Sequence, residues 1–337
     1  MKITAIGKPL FKYPKSYDCK NKATLSALQS ASADIFCFKG SNLSDKIGIV
    51  SSSTPTDLEK NVEKNLNIKP IDTTIKKFKN GETYINIAGS VRGKDVYLMP
   101  SGGSNVNDNL METYLKADAA KRSGAKKVIA VMPNFDYARQ EKRMEKGEPI
   151  AARLNMDLLK TSGVDEIITA DLHTPAIEGF APNNMRITHL ESLPIMKKYI
   201  QDRDIKDTVV VSPDLGGTKR ADKLAKELDC DKAIVYKHRC THNEATAEDF
   251  ILYDDIIDTA GTIAEASRLL NKRGAKDIYV CATHGLFNGD AMQKLQEAPI
   301  KEVIVTNTMP PKDTAISKIK YADLSSQIAD AMKTISA

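Results

Sequence analysis

The segment Phe250-Ile251-Leu252-Tyr253-Asp254-Asp255-Ile256-Ile257-Asp258-Thr259-Ala260-Gly261-Thr262 sets the architecture expected of this chain. Residues 250–253 are apolar throughout and read as a strand buried on both faces. The strand closes on two adjacent carboxylates, at the strand end where open α/β sheets bind ligands. Ile263, Ala266 and Leu270 then recur at helical spacing, so Thr259, Ala260, Gly261 and Thr262 fall at a helix N-terminus. Free N–H groups and the helix dipole favour a phosphate there. Asp254 and Asp255 are placed to grip sugar hydroxyls, directly or through Mg²⁺. A solvated acidic loop before an ordinary capped helix is the plainer alternative.

Outward from this segment the pattern repeats. The stretches 47–50, 95–99, 127–132, 166–170, 208–211, 233–236, 278–282 and 303–306 are mostly apolar and β-branched without alternation, as expected of a parallel sheet. Amphipathic helices lie between several of them. After Ser51-Ser52-Ser53, Thr54 is expected to cap a helix with Pro55 in its first turn and Leu58, Val62 and Leu66 on its buried face. The fold class is α/β with doubly wound parallel sheets.

Gly124-Ala125-Lys126-Lys127-Val128-Ile129 matches Gly274-Ala275-Lys276-Asp277-Ile278-Tyr279, and Asp95-Val96-Tyr97-Leu98 matches Asp249-Phe250-Ile251-Leu252. A tandem duplication accounts for both matches. In the first unit Pro100-Ser101 stand where the second has its acidic pair, so a sugar phosphate is expected in the second. The expected organisation is an extension over 1–46, domains over 47–190 and 191–317, and a C-terminal helix over 318–337.

Composition narrows the function classes. The chain has 337 residues, 41% apolar and 28% charged, with only 18 Gly and 14 Pro, which is globular and neither fibrous nor low-complexity. No apolar run approaches the ~20 residues of a membrane-spanning helix. The net charge of +5 resides in residues 1–46, with eight Lys and three Asp; the remainder is balanced. That leaves no basic body for nucleic acid. Cys19, Cys37, Cys230, Cys240 and Cys281 are odd in number and widely spaced, which reads as free thiols in a reducing, cytoplasmic setting. Residues 1–46 lack Arg and a continuous apolar stretch, so organelle targeting is the lesser reading of them.

The Asp254–Thr262 segment resembles the phosphoribosyl-diphosphate loop of type I phosphoribosyltransferases. Asn134-Phe135-Asp136-Tyr137-Ala138-Arg139-Gln140-Glu141-Lys142, Asp171-Leu172-His173 with Glu178-Gly179-Phe180, Ser212-Pro213-Asp214-Leu215-Gly216-Gly217, and Asn107-Asp108-Asn109-Leu110-Met111-Glu112 look like ribose-phosphate diphosphokinases. The resemblance runs from about residue 47 to 308. It implies two tandem phosphoribosyltransferase-like domains, the first with a degenerate ribose-phosphate loop. It also implies transfer of the β,γ-diphosphoryl group of Mg-ATP to the C1 hydroxyl of ribose 5-phosphate. No Gly-x-x-x-x-Gly-Lys-Ser/Thr loop is present, so ATP is held otherwise.

By resemblance, Phe78, Asn80 and Glu82 meet adenine from a neighbouring subunit, and Arg139 and Gln140 meet the phosphates. His173 and Asp214 serve the Mg²⁺–ATP site, and Gly216 and Gly217 wrap the diphosphate. Asp254, Asp255, Asp258, Thr259, Ala260, Gly261 and Thr262 hold ribose 5-phosphate, while Lys237, Arg239 and His173 are catalytic. The family's homo-oligomer is built from dimers, commonly a hexamer. On their residues alone, Phe78 reads equally as core, His173 as a structural histidine, and Lys237-His238-Arg239 as a solvated basic turn.

The chain also departs from that pattern. Residues 240–249 are fewer than the family's loop and strand need, Ala176 and Ala181 replace a polar and an aromatic residue, and the Ser-rich, aromatic tail is missing. Ser101-Gly102-Gly103-Ser104 resembles the family's regulatory loop. The short loop motivates an alternative, a weakly active or inactive paralogue acting as regulatory subunit of an active synthetase. A phosphoribosyltransferase acting on a base is disfavoured, because the nucleotide-binding segments would be idle.

Overall fold

A computed structural model describes residues 42–102, 105–203, 205, 208–236, 239–241, 249–312 and 316–337. β1 (Ile47–Val50), β4 (Asp95–Leu98), β5 (Lys127–Val131), β6 (Glu166–Ala170) and β7 (Arg186–Leu190) form a parallel sheet in that order. Between β1 and β4 the chain makes an antiparallel hairpin of β2 (Thr73–Lys77) and β3 (Thr83–Ile87).

The second sheet runs β10 (Arg239–Thr241), β9 (Asp231–Tyr236), β8 (Thr208–Ser212), β11 (Asp249–Ile257), β12 (Asp277–Gly285), β13 (Glu302–Thr306), β14 (Ile319–Ala322). Its described pairings are parallel except β10 with β9. From β8 the chain moves outward to β9, and from β11 it moves the other way to β12. The winding therefore reverses between β8 and β11, the place where such sheets open a ligand crevice. Among the described residues β1 is an outer strand of the first sheet, so no such reversal arises there.

Among the described residues the helices of seven or more residues are α1 (Asp57–Leu66), α2 (Val106–Arg122), α3 (Ala151–Ser162), α4 (Leu193–Asp202), α5 (Thr218–Leu228), α6 (Gly261–Lys272), α7 (Ala291–Glu297) and α8 (Ser325–Ile335). The continuous apolar strands pack on both faces. Leu252 and Val280 meet Ile263 and Leu270 of α6, while Ile251 and Tyr253 meet Ile200 and Leu224 of α4 and α5. In the first sheet Val96 and Val128 pack with Met156 and Leu159 of α3, and Ile49 and Ile129 with Leu58 and Val62 of α1. The last helix returns to this face through Ile328 and Met332. The Tyr97 hydroxyl donates to Met332 O at 3.0 Å and lies 2.8 Å from Ser336 Oγ.

The tandem repeat is visible as equal register. Asp95 pairs with Lys127 and Asp249 with Asp277; Ile47 pairs with Asp95 and Thr208 with Asp249. Gly124 and Gly274, which open the repeated Gly-Ala-Lys turns, both adopt left-handed backbone, at φ +88° and +95°.

Three expectations need correction. The α1 cap is Thr56, whose side chain accepts from Glu59 N at 3.3 Å, and not Thr54, because the turn after β1 is two residues longer than the pattern implied. β11 does not close at the acidic pair; β12 keeps pairing with it to Ile257, three residues after Asp254, although β8 stops pairing at Leu252. Ile319–Ala322, read with the C-terminal helix, is instead the outer strand of the second sheet. Among the described residues no helix is long and apolar enough to cross a membrane.

Candidate active site

Because β8 parts from β11 after Leu252, Asp254 and Asp255 project where the sheet splits. Asp255 is 5% exposed. Its Oδ2 lies 2.7 Å from His173 Nδ1, and its Oδ1 lies 3.3 Å from an Arg220 guanidinium nitrogen. The same guanidinium lies 3.3 Å from Asp254 Oδ1, which also accepts from Asp255 N at 2.9 Å. An ionised carboxylate only accepts hydrogen bonds, so His173 donates through Nδ1, and an approaching ligand would meet Nε2. His173 comes from the loop after β6, so the cluster joins the two sheets.

The charges are unevenly held. Burial, with the neighbouring Asp255 behind it, pushes Asp254 up to about 8. Burial also works to raise Asp255, but the His173 hydrogen bond and Arg220 more than offset it and hold that carboxyl below the ordinary range. The bond to Asp255 raises His173. The His173 contribution to stability is thus complete below about 6.5 and lost as pH rises through its folded value. That of Asp255 is complete above about 4 and lost as pH falls through its folded value. Together they stabilise most between about 4 and 6.5. An NMR titration of the metal-free protein should give His173 a midpoint above that of a free imidazole, and Asp255→Asn should lower it; an unchanged midpoint would remove the pair.

The loop after β11 leads into α6 through Ala260, a non-glycine residue at φ +58° that supplies no side-chain cap. The opening N–H groups of α6 are therefore not met by a capping side chain, the condition that suits an anion. Asp258 accepts from Arg139 at 2.5 Å through Oδ2 and from Asn288 Nδ2 at 2.8 Å through Oδ1. Arg139, expected on ATP phosphate, thus bridges from the first sheet to the expected sugar-phosphate loop.

At the end of β8, Gly217 N donates to Asp214 Oδ1 at 3.0 Å, and Ser212 Oγ to Asp214 O at 2.6 Å. A Cβ on Gly217 would stand 2.8 Å from Ser212 Oγ and 3.8 Å from Asp254 Oδ1, so glycine lets this loop close on the acids. A cavity of about 660 Å³ adjoins the site, lined by Arg139, Gln140, Asn134, Asp136, Asn288 and other residues. Burial pushes Asp136 up to about 7. Tyr137, at φ +64°, donates from its hydroxyl to Asn107 Oδ1 at 2.6 Å.

The structure brings Asp254, Asp255 and His173 together, and Arg139 with Asp258. It does not bring the adenine segment to them. Phe78 lies at the tip of the β2–β3 hairpin, 56% exposed with its ring edge-on to Tyr84, which excludes a core role. None of Phe78, Asn80 and Glu82 lines the cavity of Arg139 and Gln140. Asn80 Oδ1 instead accepts from Glu82 N at 3.2 Å within the turn. Lys237 lies outside the described residues, and of Arg239 only the backbone, in β10, is described. Gly103 and Ser104 also lie outside them.

Among the described residues no three His, Cys, Asp or Glu side chains converge to hold a cation. Magnesium does not require such a cage, since it keeps several waters and shares its shell with substrate phosphates. The exposed Asp214 carboxylate is an oxygen donor of the kind such an ion takes, and the Asp255 contact engages only Nδ1 of His173.

The N-terminal domain of ribose phosphate pyrophosphokinase matches residues 47–163, and the phosphoribosyl synthetase-associated domain matches 244–337. A ribose-phosphate pyrophosphokinase of Clostridium acetobutylicum is 38% identical over 87% of this chain and 95% of its own length. The chain belongs to the ribose-phosphate pyrophosphokinase family. Ribose-phosphate pyrophosphokinase A of Dictyostelium discoideum is 37% identical over 86% of this chain and 95% of its own. The crystal structure of phosphoribosylpyrophosphate synthetase from Mycobacterium smegmatis superposes with a TM-score of 0.82 at 36% identity, covering 86% of this chain and 98% of that one.

Sequence reasoning passed over one member of the acidic cluster, Arg220. A signal was present: Lys219 and Arg220 occupy the first turn of α5, where the helix dipole disfavours cations. A basic residue there implies a stronger partner elsewhere.

Proposed function

We propose that this chain transfers the β,γ-diphosphoryl group of ATP to the C1 hydroxyl of ribose 5-phosphate, giving 5-phosphoribosyl 1-diphosphate and AMP. The observation that carries this reading is the Asp254–Asp255 pair, held by Arg220 and His173 beside the uncapped start of α6. Asp254 and Asp255 take the ribose hydroxyls, and the loop from Asp258 to Thr262 takes the 5-phosphate. Arg139 and Gln140 orient the ATP phosphates, Arg139 exchanging Asp258 for phosphate oxygen with its planar donors. Gly216 and Gly217 let the backbone close on the diphosphate. Lys237 and Arg239 neutralise the transferring oxygens, since this chemistry is chiefly positioning and charge stabilisation.

Asp214 and His173 would hold Mg²⁺, which would supply further charge neutralisation at the phosphates. The exposed Phe78 hairpin, away from the Arg139 cavity in its own chain, supports a homo-oligomer in which a neighbouring copy supplies Phe78, Asn80 and Glu82 to adenine. Cys230 and Cys281 are free thiols, which fits the cytoplasm as the compartment.

Purified full-length protein supplied with ribose 5-phosphate, ATP and Mg²⁺ should release AMP, and Lys237→Ala should slow it by about a hundredfold or more. Folded protein giving no AMP above background would sink the reading and leave the regulatory-subunit alternative.

A further inference from the structure

The loop carrying His173 is anchored a second time, two residues before the ring. Asp171 follows β6 directly and adopts φ +35°, a region that non-glycine residues seldom enter. Such backbone persists only where its surroundings hold it. Here Asp171 N donates to Leu190 O at 3.0 Å, and Asp171 Oδ2 accepts from Ser192 N at 3.1 Å and from Thr283 Oγ1 at 2.6 Å. Ser192 Oγ and Thr283 Oγ1 lie 2.9 Å apart, and both residues are fully buried. The next residue of β12, His284, reaches Ala170 O at 3.1 Å through Nε2. Two successive residues of the second sheet thus hold two successive residues at the end of a first-sheet strand.

The strand register gives this anchor its purpose. Asp254 pairs with Ala282 and Ile256 with His284, which sets Thr283 level with Asp255 on the neighbouring strand. Thr283 takes Asp171, and Asp255 takes His173. The 171–173 loop is therefore held at two points by one rigid pair of strands.

We propose that Asp171 and Thr283 form a latch that positions His173 against Asp255, which makes both positioning residues for the diphosphoryl transfer. The proposal rests on the reading of His173 as part of the active site. Supporting partners of this kind commonly alter activity by about 10–100-fold when removed.

The test uses the full chain, with the ring-nitrogen NMR signals of its five histidines and steady-state AMP release as readouts. Thr283→Val removes the hydroxyl at nearly constant shape. It should lower kcat about tenfold or more, leave both substrate KM values within about threefold, and abolish the Nδ1-protonated, hydrogen-bonded signature of His173. Thr283→Ser, which retains the hydroxyl, should restore both readouts to within about twofold. Should Thr283→Val not fold, Asp171→Gly removes the carboxylate where glycine tolerates the backbone, with the same outcome expected. A wild-type His173 signal in either breaking variant, or no rescue by serine, would overturn the latch. Wild-type kcat in His173→Ala would instead remove the catalytic reading of His173, while the ring signals would still report whether the latch exists.

Discussion

Asp255→Asn is expected to lower AMP release by about two to three orders of magnitude, while Asp254→Asn costs about tenfold or less near neutral pH. The asymmetry follows from what each carboxyl touches. Asp255 is buried, bonds His173, and shares Arg220. It is the ionised member of the pair, and its charge holds the His173 ring and the guanidinium together. Asparagine retains the shape but removes the charge that orders both groups. Asp254 is pushed up by burial and by its neighbour, so of the two carboxyls it is the one that holds its proton longer. A neutral carboxyl donates and accepts hydrogen bonds to sugar hydroxyls, and asparagine reproduces much of that. Calorimetry with ribose 5-phosphate separates binding from turnover: Asp255→Asn should weaken uptake of the sugar, and Asp254→Asn should retain it. Equal losses in the two variants, or an Asp255→Asn enzyme within about threefold of wild type, would defeat the assignment of charge.

Much of this arrangement was legible before any coordinates, and the illegible part has a physical reason. Strands buried on both faces, such as the 209–211 and 250–253 stretches, announce themselves by continuous apolar residues. Thr73–Lys77 and Thr83–Ile87 pair with each other in a partly exposed hairpin and carry lysines and polar residues, so neither signal of a buried strand applies. The run of β11 beyond the acidic pair was hidden because pairing with β12, a property of another segment, keeps it extended. The acids and His173 were found through their motifs, but their mutual contact spans 82 positions in sequence and no local pattern encodes it. Arg220 lay in plain view with an electrostatic misfit as its only advertisement.

Lys116→Ala is expected to destabilise the folded chain by about 3–5 kcal/mol, with a melting temperature lower by roughly 10 °C. Lys116 is fully buried in α2. Its ammonium lies 3.1 Å from Glu112 Oε1 and donates to Met99 O at 2.9 Å. Glu112 Oε1 also accepts from Ser53 N at 3.1 Å, and nearby the buried Glu59 accepts from Ser52 Oγ at 3.1 Å. Burial raises Glu59 and lowers Lys116, the directions expected of charges removed from water. The register makes this cluster the first-sheet counterpart of the acidic site. With β1 matched to β8, α1 begins at Asp57 where α5 begins at Thr218, which sets Glu59 at the position of Arg220. The first sheet has lost the acidic pair to Pro100-Ser101 and holds an acid where the second holds its arginine. A buried cation from α2 then balances the acids. Removing that cation alone strands two buried carboxylates, whereas removing it together with Glu112 leaves only Glu59, which keeps its hydrogen bond from Ser52. Glu112→Gln with Lys116→Met should therefore recover most of the stability that Lys116→Ala loses, because replacing a buried ion pair by groups of similar volume is often neutral or better. Thermal unfolding of the three proteins measures both terms. A double variant no more stable than Lys116→Ala would show that neither the stranded charge nor the emptied space sets the loss, and would defeat this account of the cluster.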